Sequence, residues 1–244
     1  MLVAAAVCPC PPLLVPEVAA GAAGELDELR RACRDALRTV AEARPDQLWV
    51  VGPARGSEPG PYPTGSTGSF AGFGVDLDVR LGALSESPRR TAPLPASLSV
   101  GAWLLSEAGW SGAPPQGYAL DPGLTPERCA ALGREWGDPS PEAPRVGLLV
   151  MGDGSSCRSL KAPGYLDDRA ADFDARVAEA LATVDLGELE ALSPDLAAEL
   201  GCVGRAGWQV LAAAARQAPP LRGRLRHDEA PYGVGYLVAD WRLS

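Results

Sequence analysis

The side chains most able to do chemistry gather in four Pro-, Gly- and polar-rich segments. Cys8-Pro9-Cys10-Pro11-Pro12 follows the first apolar run, and Gly52-Pro53-Ala54-Arg55-Gly56 follows the second. Gly152-Asp153-Gly154-Ser155-Ser156-Cys157 follows a third such run, and His227-Asp228-Glu229-Ala230-Pro231 forms the densest polar cluster near the C-terminus. Cys10 and Cys157 are candidate nucleophiles. A thiol normally needs a neighbouring histidine to activate it, and His227 is the only one in the chain. Arg55 or Arg158 would have to favour the thiolate instead. Arg55, Arg158 and Lys161 together would make a cationic pocket suited to a small molecule bearing a carboxylate or phosphate. The plainer reading, that they cover polar loops, stays open beside it. Cys8 and Cys10 are two residues apart and would share one face of a regular strand, as a soft-metal or redox pair requires. Pro9 and Pro11 interrupt that geometry, so two buried thiols is the competing reading.

These segments need strands to present them. Residues 2–7 and 146–151 are short continuous apolar runs, as is 47–51, and each is stopped by Pro or Gly in the manner of a buried strand. Between the first two strands in chain order, residues 25–43 carry Leu26, Leu29, Cys33, Leu37 and Val40 on one helical stripe. Strand–helix–strand order predicts a parallel sheet, and in such sheets ligands bind beyond the C-terminal strand ends. Residues 52–71 read as a long loop, and 75–81 as a half-buried strand that alternates Val75, Leu77, Val79 and Leu81 with polar residues. Further helices are expected over 98–107, 125–136 (opened by Thr-Pro-Glu), 168–181, 186–192, 194–200 and 207–215. Strands over 221–225 and 234–241 close the chain around Ala230-Pro231-Tyr232-Gly233. The expected fold class is α/β, three-layered, with a mostly parallel central sheet and flanking helices. No repeat or linker divides residues 1–244, so a single domain is expected.

Composition narrows the partners. A chain of 244 residues is 46% hydrophobic and 22% charged, and its net charge is −9. That balance argues against nucleic acid, whose phosphates call for clustered Lys and Arg. The stretches Arg30-Arg31, Arg89-Arg90 and 222–226 are short and read as solvated faces. No apolar run reaches the ~18 residues of a membrane helix. The apolar start lacks the basic flank of a signal peptide, so a cytoplasmic location with reduced cysteines is expected. The six cysteines form no CxxC pair or zinc ribbon. Abundant Ala, Arg and Gly fit a GC-rich genome.

The segment from Val7 to Glu17 resembles the strand-then-Pro-His-Pro-Pro opening of class III extradiol ring-cleavage dioxygenases, the family of the protocatechuate dioxygenase catalytic chain. Gly152-Asp153-Gly154-Ser155 resembles that family's Gly-Asp-x-Ser-His segment, and Glu229 to Val238 resembles its C-terminal Glu-containing strand. The three occur in the family's order across most of the chain, which resembles actinobacterial members. The resemblance implies a non-haem Fe(II) site of two histidines and one carboxylate, with open positions for catechol and oxygen. Here the first histidine falls on Cys10, the second on Ala54 beside Arg55, and the acid–base histidine on Ser156 beside Cys157. Only the carboxylate has its counterpart, Glu229. Cys10 and Glu229 are therefore the metal ligands if Fe(II) or Zn(II) is held at all, and no cofactor is the expectation. Asp153, Ser156 and Cys157 are the candidate catalytic residues, and Arg55, Arg158 and Lys161 the candidate ligand-binding ones. Alanine offers no lone pair, and serine is a poor proton acceptor at neutral pH. The reading is a degenerate dioxygenase-like protein that keeps a small-molecule pocket at the strand ends. A non-catalytic scaffold, and an enzyme re-purposed around Cys10 or Cys157, are the alternatives. By the same resemblance, a homodimer is an expected assembly.

Overall fold

A computed structural model describes residues 1–83 and 92–244; the Arg89-Arg90 stretch lies outside them. Strand β1 (Leu2–Cys8) is buried at every position, as is a later strand over Val146–Met151. Such runs are apolar throughout because both faces of the sheet are covered. Among the described residues nine strands form in chain order, the others being β2 (Gln47–Pro53), β3 (Gly60–Tyr62), β4 (Thr67–Ser69), β5 (Asp78–Arg80) and β6 (Pro115–Leu120). Val146–Met151 is β7, and β8 (Leu221–Glu229) and β9 (Tyr236–Leu243) complete the set. Seven join one sheet in the order β3-β6-β2-β7-β1-β9-β8. The four central strands β6, β2, β7 and β1 run parallel. Antiparallel strands finish both edges, β3 on β6 and β9-β8 on β1. The α/β, mostly parallel architecture expected from the sequence is the one found.

Helices cover both faces. On one side lie α1 (Pro16–Ala19), α2 (Asp27–Glu42) and α3 (Ala96–Glu107). On the other lie α4 (Pro126–Trp136), α5 (Arg169–Thr183), α6 (Leu186–Glu190), α7 (Pro194–Glu199) and α8 (Arg205–Ala215). Alternation along β1 supplies both cores. Leu2, Ala5 and Val7 pack with the α4–α8 side, while Ala4, Ala6 and Cys8 pack with the α2–α3 side. On α2 the predicted stripe is the buried one, with Leu29, Cys33, Leu37 and Val40 at most 2% exposed. Burying each Leu contributes about 1.5–3 kcal/mol. The start of α4 follows the Thr-Pro-Glu signal: Thr125 caps it by accepting from the Arg128 N–H at 3.4 Å, and Pro126 takes the first turn.

Several elements differ from expectation. Residues 20–26 form a 3-10 segment, so α2 begins at Asp27 rather than two residues earlier. Gly21 and Gly24 in that segment weaken the α-helical alternative. Residues 52–71 are not all loop, since they include β3 and β4. The strand expected over 75–81 shrinks to β5, which pairs with β4 in a separate two-stranded sheet. β6 has no counterpart among the sequence-based strands. Its Pro115 and Gly117 hide it, yet Gly117 is required there, because a Cβ would press on Leu81, Leu98 and Tyr62 at 3.0–3.1 Å. β8 extends four residues beyond its expected end, past a register shift between Leu225 and His227, and carries His227 and Glu229 into the sheet. Among the described residues, no helix is long and apolar enough to cross a membrane.

Candidate functional site

The parallel strands β1, β2 and β7 deliver three of the chemistry-bearing segments to one end of the sheet. β1 stops at Cys8, and β7 at Met151, in register beside it. Gly152 continues that pairing, its N–H donating to the Cys8 carbonyl at 2.9 Å. A Cβ on Gly152 would overlap the Gly204 backbone, so the loop after β7 needs glycine to pass the start of α8. One residue on, the Asp153 carboxylate accepts the Cys10 backbone N–H at 2.7 Å, joining the loops after β1 and β7. Gly154 N–H donates to the Gly235 carbonyl at 2.7 Å, and Gly235 N–H returns a bond to the Ser155 carbonyl at 2.8 Å. The loop after β7 is thereby laced to the start of β9.

Electrostatics concentrate on this junction. Burial raises the Asp153 carboxyl to about 6, against the opposing pull of the Cys10 N–H and the Arg55 cation. Burial also pushes the Cys10 thiol well up, with the Asp153 charge adding to it and Arg55 opposing. The Tyr236 hydroxyl, on the first residue of β9, is raised by burial and then by Asp153, Tyr232 and Cys10. Cys10, Asp153, Arg55 and Tyr236 thus share one electrostatic neighbourhood. Cys10 holds its proton at neutral pH, which makes it a poor nucleophile. Asp153, half-buried, is the group there that exchanges a proton near neutrality.

The remaining candidates divide between support and surface. Ser156 directs its hydroxyl to the Leu200 carbonyl at 3.5 Å, and the Cys157 thiol points at the carbonyls of Leu200 (3.4 Å) and Gly164 (3.5 Å). Both serve the packing of the loop against the end of α7. Arg158 pairs with Asp174 at 3.0 Å, and that fully buried carboxylate also takes the Ser155 N–H (2.8 Å) and hydroxyl (2.7 Å). Of the three candidate cations, Arg158 is therefore engaged, while Arg55 and Lys161 are exposed. Ala54 is buried, and its N–H goes to the Leu120 carbonyl at 2.7 Å. Glu229 has a side chain 63% exposed and faces His227 at 3.9 Å.

This donor set does not fit Fe(II). Ala54 has no side-chain donor atom, and Glu229 turns to His227 and solvent, which leaves Cys10 without the other two expected ligands. Among the described residues, no group of three or more His, Cys, Asp or Glu is placed to hold a metal ion.

Sequence reasoning misses Asp174 and Tyr236. Asp174 has a legible signal, because it lies on the same stripe of α5 as the buried Ala170, Val177 and Leu181, where an acid needs partners. Tyr236 has none beyond its place at the head of the last strand.

No protein-family model matches the chain, and no curated protein matches it. Among solved structures, it is similar to the crystal structure of an uncharacterized protein, JW3007, from Escherichia coli K12. The two share 12% identity at a TM-score of 0.50, over 99% of this chain and 100% of that one. At that identity the likeness extends to the fold alone.

Proposed function

We propose that this chain is a divergent extradiol dioxygenase-like protein whose strand-end pocket binds a small anionic molecule without an iron centre. The observation that carries this reading is the Cys10–Asp153 junction, which fastens the loops after β1 and β7 while Arg55 stands exposed beside it. An exposed guanidinium next to the buried Cys10 and the half-buried Asp153 is a natural receptor for a carboxylate or phosphate, through paired N–H donors. Asp153, protonated in part near neutrality, can donate to such an anion as a neutral acid or take a proton from it.

Thermal-shift measurements with aromatic carboxylates and with phosphorylated metabolites test this. Binding raises the melting temperature as ligand exceeds its dissociation constant. Arg55→Ala is expected to abolish the shift while the protein stays folded, since Arg55 is exposed. A panel without any shift, or a shift that survives Arg55→Ala undiminished, would remove the anion pocket. A second reading, a non-catalytic interaction protein, is favoured by one feature: Leu160, Tyr165 and Leu166 are 63%, 64% and 45% exposed on one loop.

A further inference from the structure

At the opposite end of the sheet from the junction, where β1, β2 and β7 begin, lies a cleft of about 600 Å³. Its walls are aromatic. Trp49 of β2 stacks on Trp136, the last residue of α4, with ring centroids 5.0 Å apart and planes 12° from parallel. Tyr118 of β6 meets Trp136 edge-on at 5.4 Å. Trp136 is 6% exposed, whereas Trp49 and Tyr118 are half-buried and offer ring surface to the cleft. The charge around the rings is mainly negative. Glu135 and Asp138 bracket Trp136 in sequence and both line the cleft, exposed. Asp138 is held ionised by the Ser140 backbone N–H (2.9 Å) and hydroxyl (3.0 Å). The α4 C-terminus adds the negative end of its helix dipole. Against these stands the Met1 amino group, which donates to the Pro144 carbonyl at 2.7 Å and whose pKa burial lowers. Among the described residues, no Lys or Arg lines the cleft.

Indole faces attract cations through their quadrupole, and carboxylates at the rim add countercharge that water alone would not organise. We propose that this cleft binds an organic ammonium group, seated against the Trp49–Trp136 pair with Glu135 and Asp138 as its counterions. The ligand class is a methylated or quaternary amine, which is too weakly hydrated to prefer water over the rings. The site lies at the other end of the sheet from Arg55 and selects the opposite charge.

Choline is the probe, with 3,3-dimethylbutan-1-ol as its uncharged isostere. Isothermal titration is expected to show saturable choline binding at about one site per chain, with the neutral isostere at least about tenfold weaker. Near-ultraviolet circular dichroism reads the stacked indole pair directly and should change with the same midpoint. Glu135→Gln, a surface change, should weaken choline about fivefold. Trp49→Leu should weaken it about tenfold or more, and an unchanged far-ultraviolet spectrum would show that this variant is folded. Equal affinity for choline and the isostere would overturn the proposal, as would no choline binding at millimolar concentration. Binding that Glu135→Gln and folded Trp49→Leu both leave intact would also overturn it.

Discussion

Two opposing effects meet at Asp153. Its carboxylate receives the Cys10 N–H and lies near Arg55, both of which favour the charged form, yet burial outweighs them and raises the group to about 6. A carboxyl whose folded pKa exceeds its unfolded value of 3.8 stabilises the fold fully below that lower value. The contribution is lost as pH climbs through about 6. The full swing is on the order of 2–3 kcal/mol. Asp153→Asn keeps an oxygen to accept the Cys10 N–H and cannot ionise. The variant is expected to gain stability relative to the parent as pH rises from about 4 to about 7.5, by about 2 kcal/mol, in urea unfolding. A stability difference that is flat across that range would show that Asp153 is not strained by its charge. Cys10 and Asp153 each stand out in their loops, but the bond between them is not legible in the sequence. It depends on β1 and β7 being adjacent, and chain order puts five strands, β2 to β6, between them. Glu229 illustrates the reverse case: its type and position fit a ligand, and only the course of β8 reveals that it points to His227 and water.

The elements explain which parts of the fold the sequence disclosed. β1 and β7 are buried on both faces and β2 nearly so, hence their composition is apolar and they stand out. β6 occupies the same central sheet but opens with Pro115 and contains Gly117, because α3 and β3 crowd against it. Its residues are chosen for space, and that obscures the strand signal. The small β4–β5 hairpin pairs only three residues on each side, too few to override loop-like composition. A comparable demand for space governs the α4–α8 contact, where a Cβ on Gly133 or Gly137 would overlap the carbonyl oxygens of Val210 and Ala214. These are backbone atoms of a helix and cannot move aside. Gly137→Ala is expected to destabilise the protein by about 1–3 kcal/mol, read as a lowered urea midpoint with unchanged slope. It should also disturb the near-ultraviolet signal of the Trp49–Trp136 pair, since Trp136 is the preceding residue. A variant with the parent's midpoint would mean that α4 can slide over α8 without cost.

At the scale of the molecule, one sheet carries two unlike ends. The C-terminal strand ends gather Cys10, Asp153, Tyr236 and an exposed Arg55; the N-terminal ends gather three aromatic rings and two carboxylates. The net charge of −9 does not distinguish them, so local groups decide what each end receives. On the proposed reading, the extradiol dioxygenase pattern survives in the order of the loop segments, while the side chains in them leave no iron chemistry to follow. Of the positions that would bind the metal, Ala54 has no donor side chain and Glu229 faces His227 and water. Anaerobic titration of the purified protein with Fe(II), followed by desalting and metal analysis, tests the proposed iron-free reading most directly. The expected result is no retained stoichiometric iron, and the same trace amount in Cys10→Ala and Glu229→Ala. One iron per chain, lost in either variant, would contradict it and restore a working metal centre.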